Sequence, residues 1–358
     1  MSAIMDLKEA TGTESNVLSQ MVKMDHEQVL FCNDEATGLR AIIAVHNTNR
    51  GPALGGTRMW NYANETEALT DVLRLSRGMT YKNAISGLNL GGGKAVILGN
   101  SREDKSDGMF RRFGEFVDSL NGKYITAEDV GISPADMVLV NEKTKHVAGL
   151  PGKSGDPSPV TAYGVYMGMK ACAKAQYGSD SLNGKKVAVQ GVGHVGEYLI
   201  KHLTEEGAKV FISDIHEPTL TRVAKTYGCE VVGLDEIYDL DMDIYAPCAL
   251  GATVNDDTLG RLKCSIIAGA ANNQLLKEEI HGKIVMDKGI IYAPDYMLNA
   301  GGVINCFAEV DCLTPEWAMK KAAGIYDTTA LIINRSKAEN IPTYAIANKM
   351  AEEMFKKA

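Results

Sequence analysis

Two glycine segments and a handful of charged residues hold most of the chemistry this sequence could perform. Gly191-Val192-Gly193-His194-Val195-Gly196 has the G-x-G-x-x-G spacing. Glycines at those positions permit a tight turn and let backbone N–H groups at a helix N-terminus approach a pyrophosphate. Asp214 follows about 18 residues after Gly196, the distance at which an acidic side chain grips the ribose hydroxyls of a dinucleotide. The pattern also describes a strand–helix corner with no ligand, but strand, glycines and acid in register favour the nucleotide. The Asp214 carboxylate repels a 2′-phosphate, and Ile215-His216-Glu217 offers no arginine to accept one, so NAD is expected over NADP.

The second group is Lys82, Lys94 and Asp129. Lys94 follows Gly91-Gly92-Gly93 and enters the apolar run Ala95-Val96-Ile97-Leu98. That placement predicts a desolvated amine whose pKa falls toward that of a working base. Lys82 near a helix end also reads as a cation meeting the helix dipole, and Asp129 before Val130-Gly131 as a turn aspartate. If all three converge on one cleft, they form a catalytic constellation.

The elements that must position them are legible in outline. A β-branched strand over 41–46 is expected to lead into a loop at 51–57. Leu69, Val72, Leu73, Ser76 and Met79 recur at helical spacing over 65–83, placing Lys82 near the end of that helix. Gly91 to Gly93 read as a loop entering a strand at 95–98. A strand over 124–127 runs into Glu128-Asp129, and Ser133-Pro134-Ala135-Asp136 opens a helix with Ser133 as cap.

The glycine- and proline-rich stretch 149–159 reads as a hinge between domains. Beyond it, Ser158-Pro159 caps a helix to about Tyr177-Gly178, and strand 186–190, helix 195–206 and strand 209–213 make a βαβ unit. Strands at 244–246, 265–268 and 290–292, with a helix at 274–280, continue a parallel sheet covered on both faces. The chain reads as helix from Pro315. The expected fold is α/β in two domains, 1–149 and 150–331, with a terminal helix of about 332–358 returning to the first.

The sequence has 358 residues, 45% of them hydrophobic and 23% charged, a globular rather than a disordered composition. Its net charge of −8 opposes attraction to phosphate backbones or anionic membranes, so neither nucleic acid nor membrane is an expected partner. No apolar run has the length of a signal core or a membrane span. Seven scattered cysteines without C-x-x-C spacing suit a reducing cytoplasm, and no metal site is expected.

Gly51-Pro52-Ala53-Leu54-Gly55-Gly56-Thr57-Arg58, Gly78-Met79-Thr80-Tyr81-Lys82, Gly91-Gly92-Gly93-Lys94, Thr126-Ala127-Glu128-Asp129-Val130-Gly131 and Ala270-Ala271-Asn272-Asn273-Gln274 resemble the Glu/Leu/Phe/Val amino-acid dehydrogenase family. Its leucine dehydrogenase branch is the most similar, and the match spans all but about the first twenty residues. The resemblance implies a substrate and oligomerisation domain followed by a Rossmann-like domain, with an octameric assembly. It also implies that Lys82 binds the substrate α-carboxylate, that Lys94 activates a water, and that Asp129 exchanges a proton with the substrate amine. Thr161, Asn272 and Asn273 match positions near the nicotinamide and the substrate amino group, and Gly55 and Gly56 belong to the substrate loop.

Oxidative deamination needs a base for water, a cation for the carboxylate and a shuttle for the departing ammonia, and two lysines with an aspartate supply them. In glutamate-specific relatives a lysine holds the distal carboxylate; Leu54 matches that position. Leu54, Met79 and Ala127 would leave a charged side chain buried unpaired. Val303 and Cys306 are implied at the far end of the pocket, with Cys306 in place of the more usual valine. The expected reaction is reversible, NAD-dependent deamination of leucine, isoleucine and valine to 2-oxo acids and ammonia. Phenylalanine, valine or tryptophan dehydrogenases on this scaffold are the alternatives. A pyridoxal-phosphate enzyme using Lys94 as nucleophile, or a binding protein that has lost catalysis, are rivals from other classes.

Overall fold

The computed structural model describes residues 16–153 and 155–356. The chain divides into two compact units. Among the described residues, one contains those from Asn16 to Gly155 with Cys306–Leu313 and those from Ala351 to Lys356; the other contains Asp156–Asn305 and Thr314–Met350. The division thus falls a few residues after the expected 149/150, inside the glycine-rich stretch. Of the terminal segment 332–358, only the part from Ala351 groups with the first unit. Residues 314–350 belong to the second because α12 (Pro315–Ala323), α13 (Ile325–Glu339) and most of α14 (Thr343–Phe355) are three helices rather than one.

The first unit runs α1 (Val17–Met24), β1 (Gln28–Asp34), β2 (Leu39–Asn47), β3 (Ala53–Trp60), α2 (Glu65–Ile85), β4 (Gly91–Leu98), α3 (Asp107–Asp118), β5 (Tyr124–Glu128) and α4 (Pro134–Asn141). Its sheet has the order β1-β2-β4-β3-β5, with β1, β2 and β4 antiparallel in turn and β3 parallel to both β4 and β5. Alternation along β2 divides the core. Ala41, Ile43 and Val45 pack with Phe110, Phe113 and Val117 of α3, whereas Ile42 and Ala44 pack with Leu69, Val72 and Leu73 of α2. Period-two strands between two helical layers produce this split.

Two expected loops are strands. Residues 53–57 lie within β3, and Gly91 to Gly93 are the first residues of β4. Local sequence reads consecutive glycines as a turn, but here tertiary packing requires them. A Cβ on Gly92 would lie 2.1 Å from the Thr80 nitrogen, and one on Gly93 would lie 2.7 Å from the Tyr124 ring. The glycines therefore let α2 and β5 close on the sheet; they do not unmask the Lys94 ammonium.

The α4 cap is as expected. The Asp136 N–H donates to the Ser133 hydroxyl at 3.3 Å, and the Asp136 carboxylate accepts the Ser133 N–H at 2.7 Å. Ser133→Ala is expected to cost about 1 kcal/mol, measurable by denaturant unfolding. An unchanged midpoint would show that the proline at the first turn suffices.

The second unit runs α5 (Ser158–Tyr177), β6 (Lys186–Gln190), α6 (His194–Glu205), β7 (Lys209–Ser213), α7 (Glu217–Tyr227), β8 (Glu230–Val231), β9 (Ile244–Pro247), α8 (Asp256–Arg261), β10 (Ile266–Ile267), α9 (Glu278–Asp287) and β11 (Ile291–Tyr292), then α10 (Asp295–Leu298) and the start of α11 (Gly301–Val310), whose residues from Cys306 group with the first unit. Its six strands are all parallel in the order β11-β10-β9-β6-β7-β8. That order reverses between β6 and β9, the switch point of a doubly wound sheet, where ligands bind beyond the strand carboxyl ends. Two local expectations change. Ser158 is the first residue of α5 rather than its cap, its N–H held by Asp156 at 2.9 Å. The helix expected over 274–280 starts at Glu278, because Gln274 turns inward to bond the Gly269 and Ala271 carbonyls. No described helix is long and apolar enough to cross a membrane.

Candidate active site

Lys94 and Asp129 meet in the first unit. The Lys94 Nζ lies 2.8 Å from Asp129 Oδ2, with 8% of the lysine side chain exposed and 25% of the aspartate's. Their strands are not neighbours, since β3 runs between β4 and β5. The lysine side chain must therefore span a gap of roughly 9–10 Å between strands. Gly56 lies on β3 between the pairs Leu54↔Gly92 and Thr57↔Ala95, and a Cβ there would meet the Glu128 carbonyl oxygen at 2.4 Å and the Asp129 Cβ at 3.0 Å, so glycine at this position lets Glu128 and Asp129 close on β3.

Burial pushes the Lys94 amine below its ordinary pKa, outweighing the opposing pull of Asp129. Burial alone would raise Asp129, but Lys94 and then Arg58 hold its carboxyl below the usual range. An amine easily deprotonated thus sits against a carboxylate that stays ionised, a combination suited to moving protons.

Arg58, the last residue of the Gly51–Arg58 motif, joins the pair. Its Nε donates to Asp129 Oδ2 at 3.1 Å, and its Nη1 to Asp71 Oδ2 at 3.1 Å. Asp71 also accepts the Tyr62 hydroxyl at 2.7 Å and Arg74 Nη2 at 3.1 Å. No local signal marks these residues, because β3, α2 and the turn after β5 assemble them only on folding.

The other expected site residues of this unit lie on α2, β3, β5 and α11. Lys82 lies in the last turn of α2 and is half-buried, two residues past Thr80, which packs on Gly92. Leu54 is 2% exposed and Ala127 is buried. Met79 Cγ would lie 3.2 Å from a Cβ on Gly55, so an apolar wall lies against β3. Cys306 on α11 belongs to this unit; burial, then Glu309 and Glu128, push its thiol up to about 12. Val303, three residues earlier on α11, is buried in the second unit.

In the second unit, β6 ends at the glycine turn. Gly191 has φ +106°, and a Cβ on it would meet Ala249 at 2.6 Å. A Cβ on Gly196 would meet the Gly191 carbonyl oxygen at 2.1 Å, so this glycine seats α6 on the turn. Gly193 differs, with open space where its Cβ would be, and it caps α6 with no side-chain hydrogen bond. The first N–H groups of a twelve-residue helix thus face an open backbone cradle beside exposed His194, above buried Val192 and half-buried Val195. This environment fits a pyrophosphate. Asp214 accepts the Val192 N–H at 2.7 Å and the His216 N–H at 2.8 Å, so it also braces the turn.

Thr161 is buried in the first turn of α5, its hydroxyl donating to the Pro157 carbonyl at 2.9 Å. Gly301 packs on it; a Cβ there would lie 2.4 Å from the Thr161 Cα. Asn272 and Asn273 are exposed after β10, with Asn273 at φ +52°. Asn299, which sequence reasoning missed, donates through Nδ2 to the Ala270 carbonyl at 3.0 Å and to Asn272 Oδ1 at 2.7 Å. Because a carbonyl must accept from Asn299 Nδ2, the Asn272 atom beside it is the oxygen. The Asn272 amide N–H groups are then turned away from Asn299 and left as donors.

The comparisons agree with this architecture. Residues 26–146 match the Glu/Leu/Phe/Val dehydrogenase dimerisation domain. Residues 152–216 and 211–323 match the glutamate/leucine/phenylalanine/valine dehydrogenase domain. The chain belongs to the Glu/Leu/Phe/Val amino-acid dehydrogenase family and is an amino-acid dehydrogenase whose Rossmann-like unit takes a dinucleotide. It is 56% identical to leucine dehydrogenase of Thermoactinomyces intermedius, over 94% of this chain and 93% of that one. It is 55% identical to leucine dehydrogenase of Bacillus subtilis over the same shares. The crystal structure of L-tryptophan dehydrogenase from Nostoc punctiforme superposes with a TM-score of 0.87 at 45% identity, covering 96% of this chain and 99% of that one.

Proposed function

We propose that the protein is an NAD-dependent dehydrogenase of branched-chain aliphatic L-amino acids, converting leucine, isoleucine and valine reversibly to 2-oxo acids and ammonia. The observation that carries this reading is the buried Lys94–Asp129 pair, 2.8 Å apart, beside the apolar residues Leu54, Met79 and Ala127. A glutamate side chain would bury its charge against Leu54 unpaired. Leucine dehydrogenases at 55–56% identity support the aliphatic preference.

The nicotinamide supplies the hydride acceptor. Loss of hydride from Cα leaves an iminium, which water must attack. Lys82 holds the α-carboxylate; Lys94 Nζ, unprotonated, takes a proton from the attacking water, forming the C–O bond. Asp129, ionised at the start, accepts a proton from the substrate ammonium before hydride loss, returns it to the amine nitrogen as the C–N bond breaks, and takes the remaining hydroxyl proton as the ketone forms. Gly191, Val192, Gly193, His194, Val195 and Gly196 would cradle the pyrophosphate, Asp214 would hold the ribose, Thr161 and Asn272 would hold the nicotinamide, and Asn273 would meet the substrate amino group. The protein acts in the cytoplasm as a homo-oligomer, an octamer by family likeness.

The test is purified protein with NAD and a panel of leucine, isoleucine, valine, phenylalanine, tryptophan and glutamate, read as reduced-nicotinamide absorbance. The three aliphatics should lead. Faster glutamate oxidation would overturn the Leu54 argument, and faster aromatic oxidation would move the assignment to the phenylalanine or tryptophan branch.

A further inference from the structure

We propose that Arg58, anchored by Asp71, is a positioning residue that serves as the permanent counter-ion of Asp129, allowing Lys94 to give up its proton without leaving that carboxylate unpaired. This inference rests on the deamination reading. The geometry carries it. Lys94 Nζ and Arg58 Nε both approach the same oxygen, Asp129 Oδ2, at 2.8 and 3.1 Å. A buried carboxylate facing only Lys94 would hold that lysine protonated, since an ion pair favours both charged forms. A guanidinium cannot be deprotonated in a protein. With Arg58 present, the carboxylate keeps a cation whichever state Lys94 is in.

Arg58 is itself fixed in place. Its Nη1 bonds Asp71, whose side chain is 13% exposed and is held by the Tyr62 hydroxyl and Arg74. The guanidinium is thus gripped at Nε and at Nη1, which sets both its plane and the Asp129 oxygen it meets. The charged groups facing Lys94 are Asp129 after β5, Arg58 on β3 and Asp71 on α2. Arg74 and Tyr62 stand behind Asp71, and the buried Tyr124 phenol neighbours Asp129. Arg58 repels a charged Lys94; Asp71 attracts it.

These opposite signs give a test that an ordinary loss of packing would not mimic. Lys94 titration is followed by pH-dependent labelling with a small acylating reagent, quantified by mass spectrometry, in wild type, Arg58→Met, Arg58→Lys and Asp71→Asn. The pH dependence of kcat/KM is measured alongside. Arg58→Met should move the Lys94 midpoint and the acid limb of kcat/KM up by about one pH unit. Asp71→Asn should move both down, and Arg58→Lys should return them toward wild type. Shifts of the same sign in Arg58→Met and Asp71→Asn, or no shift in either, would overturn the proposal. If Arg58→Met fails to fold, Arg58→Gln decides: an upward shift supports the proposal and an unmoved midpoint overturns it. The labelling arm does not depend on turnover. A wild-type enzyme that reduces no NAD with any amino acid would sink the deamination reading and leave the Lys94 titration to be judged separately.

Discussion

Lys94→Ala is expected to reduce amino-acid oxidation by about a thousandfold or more, within the range a general base contributes, while NAD binding stays near normal. The separation follows from the architecture. Lys94 lies on β4 of the first unit, and the glycine turn that cradles the pyrophosphate belongs entirely to the second. Alanine removes the amine but leaves the Asp129 carboxylate with Arg58 at 3.1 Å, so the site should not collapse through an unpaired buried charge. Steady-state formation of reduced nicotinamide over many turnovers, with coenzyme binding measured by fluorescence, checks both halves. The pH dependence of the wild type follows from the same burial. A base works unprotonated, and desolvation holds Lys94 below its ordinary value, so kcat/KM should rise with pH through that depressed value and then level. Asp129, held lower still than an ordinary carboxyl by Lys94 and Arg58 against its own burial, remains ionised across that rise. A near-normal rate in Lys94→Ala would remove this lysine from the chemistry.

Legibility of the site in the sequence followed how local its causes are. The dinucleotide turn was readable because strand, glycines, helix, second strand and Asp214 follow one another within a single βαβ unit. The α4 cap was readable for the same reason, as its bonds join Ser133 to Asp136. The glycines before Lys94 were misread. They look like a loop, but Thr80 from α2 and the Tyr124 ring from β5 occupy the space their side chains would fill, and neither neighbour is adjacent in sequence. Gly56 is the same kind of case, since its lack of a side chain leaves room for the Glu128 carbonyl and the Asp129 side chain, more than seventy residues on. Arg58 and Asp71 are 13 residues apart and become partners of Asp129 only when three elements meet. Asn299 was invisible because its role is to orient another amide, which only the geometry around the Ala270 carbonyl reveals. The edge strand β1 escaped notice because its burial pattern, largely half-exposed, lacks a clean alternation.

Asp214 offers the second large effect, and its two roles can be separated. Its carboxylate accepts the Val192 and His216 N–H groups at 2.7 and 2.8 Å, and on the proposed reading it also repels the 2′-phosphate of NADP. Asp214→Asn keeps one oxygen to accept the buried Val192 N–H, gives up the second acceptor that takes the exposed His216 N–H, and removes the negative charge. Its preference for NAD over NADP should fall roughly 10- to 100-fold, the scale of one lost charge–charge interaction near a protein surface, with little change in unfolding. Asp214→Ala removes both functions. It should show the same loss of discrimination, a higher KM for NAD, and a destabilisation of about 1–3 kcal/mol from the unsatisfied N–H of Val192, which is fully buried. Parallel kcat/KM measurements with the two coenzymes, with thermal unfolding of each variant, distinguish these outcomes. If Asp214→Asn kept full discrimination, selectivity would have to arise from residues other than this carboxylate. If Asp214→Ala unfolded at the wild-type temperature, the bond to Val192 would contribute nothing to the turn.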